Sequence, residues 1–230
     1  MPPALPSVPR RTGNYLWAQV LNAAKLGLNS AFVAMFDEIN EGTQIMKTTN
    51  KPPVQYPFLT FDGATNDYYL RLVGTAAKLL KSGKVPDVIP ISPFSTSKWY
   101  KLQNKASGLQ MNNTSKIAKA SITQAADLAG THQEWQLTYD GNDYFKIKSH
   151  LSGKFLSGIA EDGPIIQAID SKSDNLKWHM EWDGTGYCRI INKATGKALS
   201  NNAVTTEASP VVQAVDTPKS DDFRWKVIEE

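Results

Sequence analysis

Three carboxylates stand close together in the segment from Phe36 to Ile45. It reads Phe-Asp-Glu-Ile-Asn-Glu-Gly-Thr-Gln-Ile, which places carboxylates at Asp37, Glu38 and Glu41. Neighbouring carboxyl groups can act as a general acid and a general base, so this segment is a candidate for acid/base chemistry. The alternative is an acidic loop at the start of a helix, where the helix dipole favours negative charge.

The segments around these carboxylates predict a small α/β unit. Residues 14–26 and 67–81 have apolar side chains at helical spacing, and Gly27 ends the first of these helices. Between them, Ser30 to Phe36 is a nearly continuous apolar run, which is typical of a strand buried on both faces. The carboxylates would then follow the carboxyl end of a strand. The second helix has these residues along one face: Leu70, Val73, Ala77 and Leu80.

A second pattern occurs three times between residue 98 and the end of the chain. Each copy has a strand of aromatic and β-branched residues, a turn, an Ile/Val-x-Gln-Ala segment and a Trp. A period of this length marks a repeat architecture whose units cannot bury their apolar faces alone. Four short strands per copy predict a mainly β fold, a β-trefoil with threefold internal repeat. The repeated tryptophans are Trp135, Trp178 and Trp225.

Residues from about 95 to 230 resemble the ricin-type β-trefoil lectin domain. Gln133-Glu134-Trp135 matches the Gln-any-Trp signature of that family, whereas Leu176 and Phe223 replace the Gln in the other two copies. The resemblance implies that the three tryptophans plug the core, and that the domain binds a glycan or polysaccharide.

The family's sugar-contacting positions are only partly filled. The Asp that commonly follows the second strand is replaced by Asn or Ser, and the stacking aromatic by Ala126, Ile169 and Val215. The candidate carbohydrate-binding residues, by resemblance, are Asn112, Asp127, Asp170, Asn175, Asp216 and Asp222. The alternative is that the Asp residues fix turns by accepting hydrogen bonds from backbone amides. The trefoil would then be a structural or protein-interaction module that binds no sugar.

The acidic segment resembles the Phe-Asn-Glu-x-x-Glu-Gly-Thr-Gln stretch of glycoside hydrolase family 99 and of its family 71-like relatives, which are (β/α)8 barrels. Glu38 and Glu41 match that family's acid/base pair, and Asp37 replaces its Asn. A barrel takes about 250 residues, but only residues 1–83 precede the connector. We expect a carboxyl-terminal barrel remnant that is inactive alone. Its implied partner is the missing amino-terminal barrel portion of an extracellular or periplasmic parent enzyme.

The predicted organisation has three parts. Residues 1–83 form the α/β segment, residues 84–97 form a connector with three prolines, and residues 98–230 form the trefoil. The predicted repeats are residues 98–140, 141–183 and 184–230. Met1 to Pro9 lacks the apolar core of a signal peptide or membrane anchor.

The composition is that of a globular protein, with 41% hydrophobic residues, 20% charged residues and a net charge of +3. This small excess predicts no nucleic-acid partner, and no apolar stretch approaches the length of a membrane helix. The lone Cys188 excludes an internal disulfide and is expected to be buried. The three histidines show no metal-ligand spacing, so no metal and no other cofactor is expected.

Overall fold

The computed structural model describes residues 10–38, 43–49, 61, 63–141, 143–159, 163–183, 185–217 and 220–230. The chain divides into two compact units, Met1–Pro93 and Phe94–Glu230. Each unit has its own buried apolar core. The proline-containing segment contributes to both cores, because Ile89 is buried in the first unit and Phe94 in the second.

The first unit contains two α-helices among its described residues, α1 (Asn14–Lys25) and α2 (Tyr68–Ser82). Both agree with the predicted helices to within a residue at each end. A short 3-10 turn, Arg11–Gly13, precedes α1. The helix α2 ends at Gly83, whose φ of +67° is a left-handed conformation that glycine adopts without a Cβ clash. Trp17 of α1 donates a hydrogen bond from Nε1 to the Pro86 carbonyl at 3.1 Å.

The buried face of α2 differs from the predicted one. Leu80 is buried as expected, but Leu70 is exposed, and the core is occupied by Tyr68, Tyr69, Leu72 and Ala76. The two tyrosines explain the difference, because aromatic rings bury more apolar area than leucine. Their rings meet edge to face, with centroids 5.2 Å apart.

The buried strand predicted over Ser30 to Phe36 is not formed. These residues have no regular secondary structure, and Phe32 is 89% exposed. A strand needs a neighbouring strand to satisfy its backbone N–H and C=O groups, and the described part of the first unit contains no strand. Glu38 therefore follows an irregular segment and not the end of a strand.

The second unit is built from short β-strands, as the repeat predicted. The strands are β1 (Tyr100–Asn104), β2 (Gln110–Asn112), β3 (Thr123–Ala125), β4 (Trp135–Gly141), β5 (Tyr144–Ser149), β6 (Phe155–Ser157), β7 (Gly163–Pro164), β8 (Ile166–Ala168), β9 (Trp178–Trp182), β10 (Cys188–Asn192), β11 (Ala198–Ser200), β12 (Val212–Ala214) and β13 (Trp225–Glu229). We call β1–β4 repeat 1, β5–β9 repeat 2 and β10–β13 repeat 3. Two further 3-10 turns, Asp174–Leu176 and Asp221–Phe223, precede β9 and β13.

Six strands close a barrel. In order around the barrel they are β1, β4, β5, β9, β10 and β13, and β13 pairs back with β1 in an antiparallel register. Each repeat adds a hairpin, formed by β2 with β3, β6 with β8 and β11 with β12. Closure leaves no unpaired edge in the barrel. This architecture is the predicted β-trefoil.

Three backbone hydrogen bonds join the hairpins around the pseudo-threefold axis. The N–H of Ile122 donates to the carbonyl of Ile165, that of Ile165 to Val211, and that of Val211 back to Ile122, at 2.8, 2.8 and 2.9 Å. All three side chains are fully buried. The ring needs all three copies, which is why a threefold repeat folds where one copy alone would leave its apolar face exposed.

The three repeated tryptophans are structural, as predicted. Trp135, Trp178 and Trp225 are fully buried in the core of the barrel. Each donates a hydrogen bond from Nε1 to a main-chain carbonyl, of Met111, Leu156 and Leu199 respectively, at 3.0–3.2 Å. Buried indole N–H groups require such a partner. Cys188 is also buried, as expected, and its Sγ donates a hydrogen bond to the Trp225 carbonyl at 3.5 Å.

Candidate functional site

Three buried glutamines fix the loops on the hairpin side of the trefoil. Gln167 donates to the carbonyls of Ser115 and Ile117 at 2.7 and 2.8 Å, and its Oε1 accepts from Asn113 Nδ2 at 3.1 Å. Gln124 donates in the same way to Val204 and Ser209 in the loop of repeat 3, and Gln213 donates to the Ile159 carbonyl in the loop of repeat 2. Their polar atoms are used within the protein, so these glutamines position loops and do not face a ligand.

A fourth buried glutamine positions the first candidate site. Gln133, from the Gln-any-Trp signature, donates to the Ala126 carbonyl at 2.6 Å and accepts from the Leu128 amide at 2.8 Å. It therefore holds the short loop that contains Asp127. Leu176 and Phe223 stand at the equivalent positions and are buried as apolar residues. Repeat 1 alone keeps this polar support.

Each recurring Asp faces a cation from the first strand of its own repeat. Lys101 Nζ donates to Asp127 at 2.6 Å, Lys146 Nζ donates to Asp170 at 2.7 Å, and Arg189 donates to Asp216. The turn-fixing alternative expected backbone amides as partners, but the principal partners here are side-chain cations. Sequence reasoning missed these cations, although cations and carboxylates recur at matching positions in all three copies.

The three carboxylates differ in how open they are. The side chains of Asp127 and Asp170 are 67% and 57% exposed, and each is held through Oδ1 only. The side chain of Asp216 is 14% exposed: Arg189 donates a hydrogen bond to Oδ2, and Arg224 Nη1 forms an ion pair with Oδ1 at 3.6 Å, although Oδ1 accepts no hydrogen bond from the described residues. Repeats 1 and 2 therefore present a carboxylate oxygen to solvent, whereas repeat 3 uses its carboxylate in an internal ion pair.

The ion pairs shift the pKa values of the cations. The hydrogen bond from Lys101 to Asp127 raises the pKa of Lys101, against the opposing effect of desolvation, and Glu230 adds to the rise. The hydrogen bond to Asp216 likewise raises the pKa of Arg189. These ion pairs attach the Asp loops to the barrel strands.

Exposed aliphatic side chains stand beside the carboxylates. Ile169 and Val215, which occupy the position of the family's stacking aromatic, are 73% and 71% exposed, and Leu128 is half exposed next to Asp127. An aliphatic side chain offers apolar contact to the face of a sugar ring but no π-surface. Each site thus has an apolar group and a carboxylate, without the aromatic platform.

The other predicted carbohydrate-binding residues have different surroundings. Asn112 is 5% exposed, and its Oδ1 has no hydrogen-bond partner. It pairs with Thr123 at the far end of the β2–β3 hairpin from Asp127. Asn175 and Asp222 lie in the 3-10 turns, where their backbone carbonyls accept hydrogen bonds from Asn192 and Asn104. The structure places Asn112 and Asp127 in one repeat but not side by side.

The predicted catalytic pair falls mostly outside the described chain. Glu41 lies outside the described residues. Glu38 is half-buried, and its carbonyl accepts a hydrogen bond from the Thr43 amide at 3.2 Å. No barrel strand carries Glu38, because the preceding apolar run is irregular.

The junctions between repeats hold a second threefold set that the sequence reading missed. Each pairs an aromatic ring from the start of one repeat with a His or Lys side chain from the next repeat around the barrel. His150 stacks on Trp99 with ring centroids 3.9 Å apart, while Lys193 lies over Tyr144 and Lys105 over Tyr187. A carboxylate contacts each of these side chains: Glu134, Asp174 and Asp221, respectively. Aligning the three copies would have revealed the set. These contacts join neighbouring repeats, so the three aromatic rings pack against the protein's own side chains.

The described residues were also searched for a metal site and for a membrane-spanning helix. Within the described residues, no cluster of three His, Cys, Asp or Glu side chains could hold a metal ion. A search of those residues for a helix long and apolar enough to cross a membrane found none.

The second unit is similar to a known domain family and to proteins of known structure. A family model described as ricin-type beta-trefoil lectin domain-like matches residues 92–168. The designed threefold-symmetric protein ThreeFoil is similar over 56% of this chain and 97% of its own, with 30% identity and a TM-score of 0.55. No curated protein matches the chain.

Two natural proteins of known structure are also similar. An exo-beta-1,3-galactanase from Clostridium thermocellum shares 28% identity over 65% of this chain, with a TM-score of 0.54, and the match spans 32% of that enzyme. A ricin B-like lectin from Macrolepiota procera, solved in complex with lactose, shares 23% identity over 58% of this chain and 96% of its own, with a TM-score of 0.50. The latter similarity concerns the fold alone.

Proposed function

This chain carries a ricin-type β-trefoil lectin domain, and from that premise we propose that it binds glycans through repeats 1 and 2. The observation that supports this most is the pair of open carboxylates, Asp127 and Asp170, each beside an exposed aliphatic side chain. A carboxylate accepts hydrogen bonds from sugar hydroxyls, and an adjacent apolar surface covers the C–H face of the ring. Repeat 3 is excluded from the proposal, because Asp216 is held by two arginines.

Asn112 is proposed as a separate contact in repeat 1, because it lies at the far end of the β2–β3 hairpin from Asp127. A buried amide oxygen without a partner carries a desolvation cost of about 1–3 kcal/mol, and a ligand hydroxyl that reached it would remove that cost. Only repeat 1 has an amide at this position, since Ser157 and Ser200 replace it elsewhere. Asn175 and Asp222 contribute mainly through their backbone and have a supporting role.

A glycan array, followed by titration calorimetry with the best ligand, tests the proposal. Lactose and β-1,3-galactan are the first probes, because the similar lectin was solved with lactose and the similar enzyme is named for galactan. We expect Asp127→Asn and Asp170→Asn each to weaken binding at its site about tenfold or more, which corresponds to about 1.4 kcal/mol. The loss of a charged acceptor is the cause.

Asp216→Asn is the matched control, because it makes the same substitution at the equivalent position of repeat 3. Its affinity should stay within about twofold of the unchanged chain, a difference well under the 1.4 kcal/mol of a tenfold effect. Equal losses in all three variants would show that the open carboxylates are not the sugar contacts.

The second candidate function is a trefoil that supports or contacts another protein and binds no sugar. The absence of a stacking aromatic at Ala126, Ile169 and Val215 favours it. The same array decides between the two, since this alternative requires that no glycan bind.

The finer part of the proposal is attachment to a glycoside hydrolase that degrades polysaccharide outside the cell. Its support is the resemblance of the acidic segment with Glu38 and Glu41, and the similar galactanase, of which the trefoil match is about a third. The upstream coding sequence tests it: we expect this sequence to encode βα units of a (β/α)8 barrel. An upstream region that encodes another fold would refute this attachment without touching the proposal for the trefoil.

A further inference from the structure

One of the three equivalent hairpin loops is strongly basic. The loop between β2 and β3 contains Lys116 and Lys119, both exposed, and the turn before β6 contributes Lys154. Lys154 Nζ donates to the Lys116 carbonyl at 2.6 Å, which fixes the turn lysine against the loop. We call Lys116, Lys119 and Lys154 the basic loop patch.

The patch has a fixed backbone. Gln167 binds the carbonyls of Ser115 and Ile117 in the same loop, and the Lys119 amide donates to the Gln167 carbonyl at 2.7 Å. The lysines therefore extend from an anchored loop, so little backbone order must be gained when a ligand binds.

The charge of the patch is not balanced within the described chain. Most other lysines of the trefoil's barrel strands and junctions have carboxylate partners, for example Lys101 and Lys146. None of the three patch lysines forms an ion pair with any residue that the structure describes. Three unneutralised cations on one loop create a local positive potential that attracts anions.

The fold does not require these lysines. The equivalent loop of repeat 2 contains Glu161 and Asp162 in the sequence, and that of repeat 3 contains Glu207. Leu109 replaces the turn lysine in repeat 1, whereas Lys197 retains it in repeat 3. Three loops that share one backbone role therefore differ in charge, which indicates that the basic one is adapted to a ligand.

We infer that the basic loop patch binds an acidic polysaccharide, through sulfate or carboxylate groups on its sugars. Lysine ammonium groups suit such point charges, and Ile117, 74% exposed between two of the lysines, gives an apolar contact for the ring. A single-stranded nucleic acid would need aromatic residues for base stacking, and the described residues of the patch include none. The choice of a sugar polymer over other polyanions rests on the proposed lectin function.

Binding of the full chain to immobilised dextran sulfate, with uncharged dextran as the matched ligand, tests the inference. We expect binding to dextran sulfate only, weakened as salt rises. The variant Lys116→Gln/Lys119→Gln/Lys154→Gln should bind about tenfold more weakly, since each exposed charge contributes modestly. Its melting temperature should fall by only about 2–4 °C, because the one interaction lost is the hydrogen bond from Lys154 to the Lys116 carbonyl, outside the core.

The matched control removes three other clustered and exposed lysines, as Lys78→Gln/Lys81→Gln/Lys84→Gln in and after α2. Its binding should stay within about twofold of the unchanged chain, since net charge falls equally in both variants and only position differs. Equal losses in the two variants, or no loss in the first, would overturn the inference. Tighter binding to an oligonucleotide or to anionic lipid vesicles than to dextran sulfate would overturn the choice of partner. A failed array with intact dextran sulfate binding would refute only the lectin sites of repeats 1 and 2.

Discussion

The hydrogen-bond partners of individual polar side chains distinguish the structural residues of this trefoil from those that a ligand could contact. The glutamines and tryptophans of the repeat are buried, and their side-chain nitrogens donate to main-chain carbonyls. The repeat pattern predicted the structural tryptophans, because large aromatic residues at a fixed period signal a shared core. It did not predict the cation that each Asp contacts, because the partner lies more than twenty residues away and depends on strand pairing.

At Trp135 we expect Trp135→Phe to lower the free energy of unfolding by about 2–4 kcal/mol. The smaller ring leaves a cavity, and the Met111 carbonyl loses its donor. Urea denaturation followed by circular dichroism measures the change. Trp99→Phe, at a half-buried ring stacked on His150, is the control and should cost about 1 kcal/mol or less. Similar losses for the two variants would contradict the core role assigned to the repeated tryptophan.

The secondary-structure elements show where sequence periodicity suffices and where it does not. Both helices of the first unit and the strands of the trefoil follow their patterns, because local propensity and burial agree there. The buried face of α2 was misassigned because Tyr68 and Tyr69 outweigh Leu70 in buried area. The apolar run at Ser30 to Phe36 was misread because an apolar strand exists only where other strands pair with it.

The contact between β1 and the loop after β3 gives a pH prediction. Asp127 raises the pKa of Lys101 in the folded state, so the pair's stabilisation is complete below the ordinary lysine pKa of about 10.4. This stabilisation is lost as the pH rises through the raised pKa of Lys101, because Lys101 then loses the proton that the ion pair requires. The contribution should be about 1 kcal/mol or less, since Asp127 is largely exposed.

Thermal unfolding of the unchanged chain and of Lys101→Met at about pH 8 and about pH 11.5, on either side of the lysine range, measures this effect. Groups that titrate in both proteins cancel in the comparison. The stability advantage of the unchanged chain should shrink at the higher pH. An advantage that grows with pH would mean that the ion pair does not hold the loop.

At the scale of the whole molecule, the fold was easier to predict than the site. The repeat period, the turn glycines and the positions of Gln and Trp were enough to predict a closed threefold trefoil. Three copies are needed to complete the barrel and the hydrogen-bond ring of Ile122, Ile165 and Val211. The site depends on small departures from threefold symmetry. Those departures leave Asp127 and Asp170 open, bury Asp216 under two arginines and make one loop basic. Their consequences appear only when the chain is folded.

Glycan binding by repeats 1 and 2 is tested most directly by amide chemical shifts of the isotope-labelled full chain during titration with lactose and with β-1,3-galactan oligosaccharides. We expect the largest shifts at residues 126–128 and 169–171, beside the open carboxylates, and no change at residues 215–217. Shifts that are largest at residues 215–217, or absent from the trefoil at saturating sugar, would contradict it.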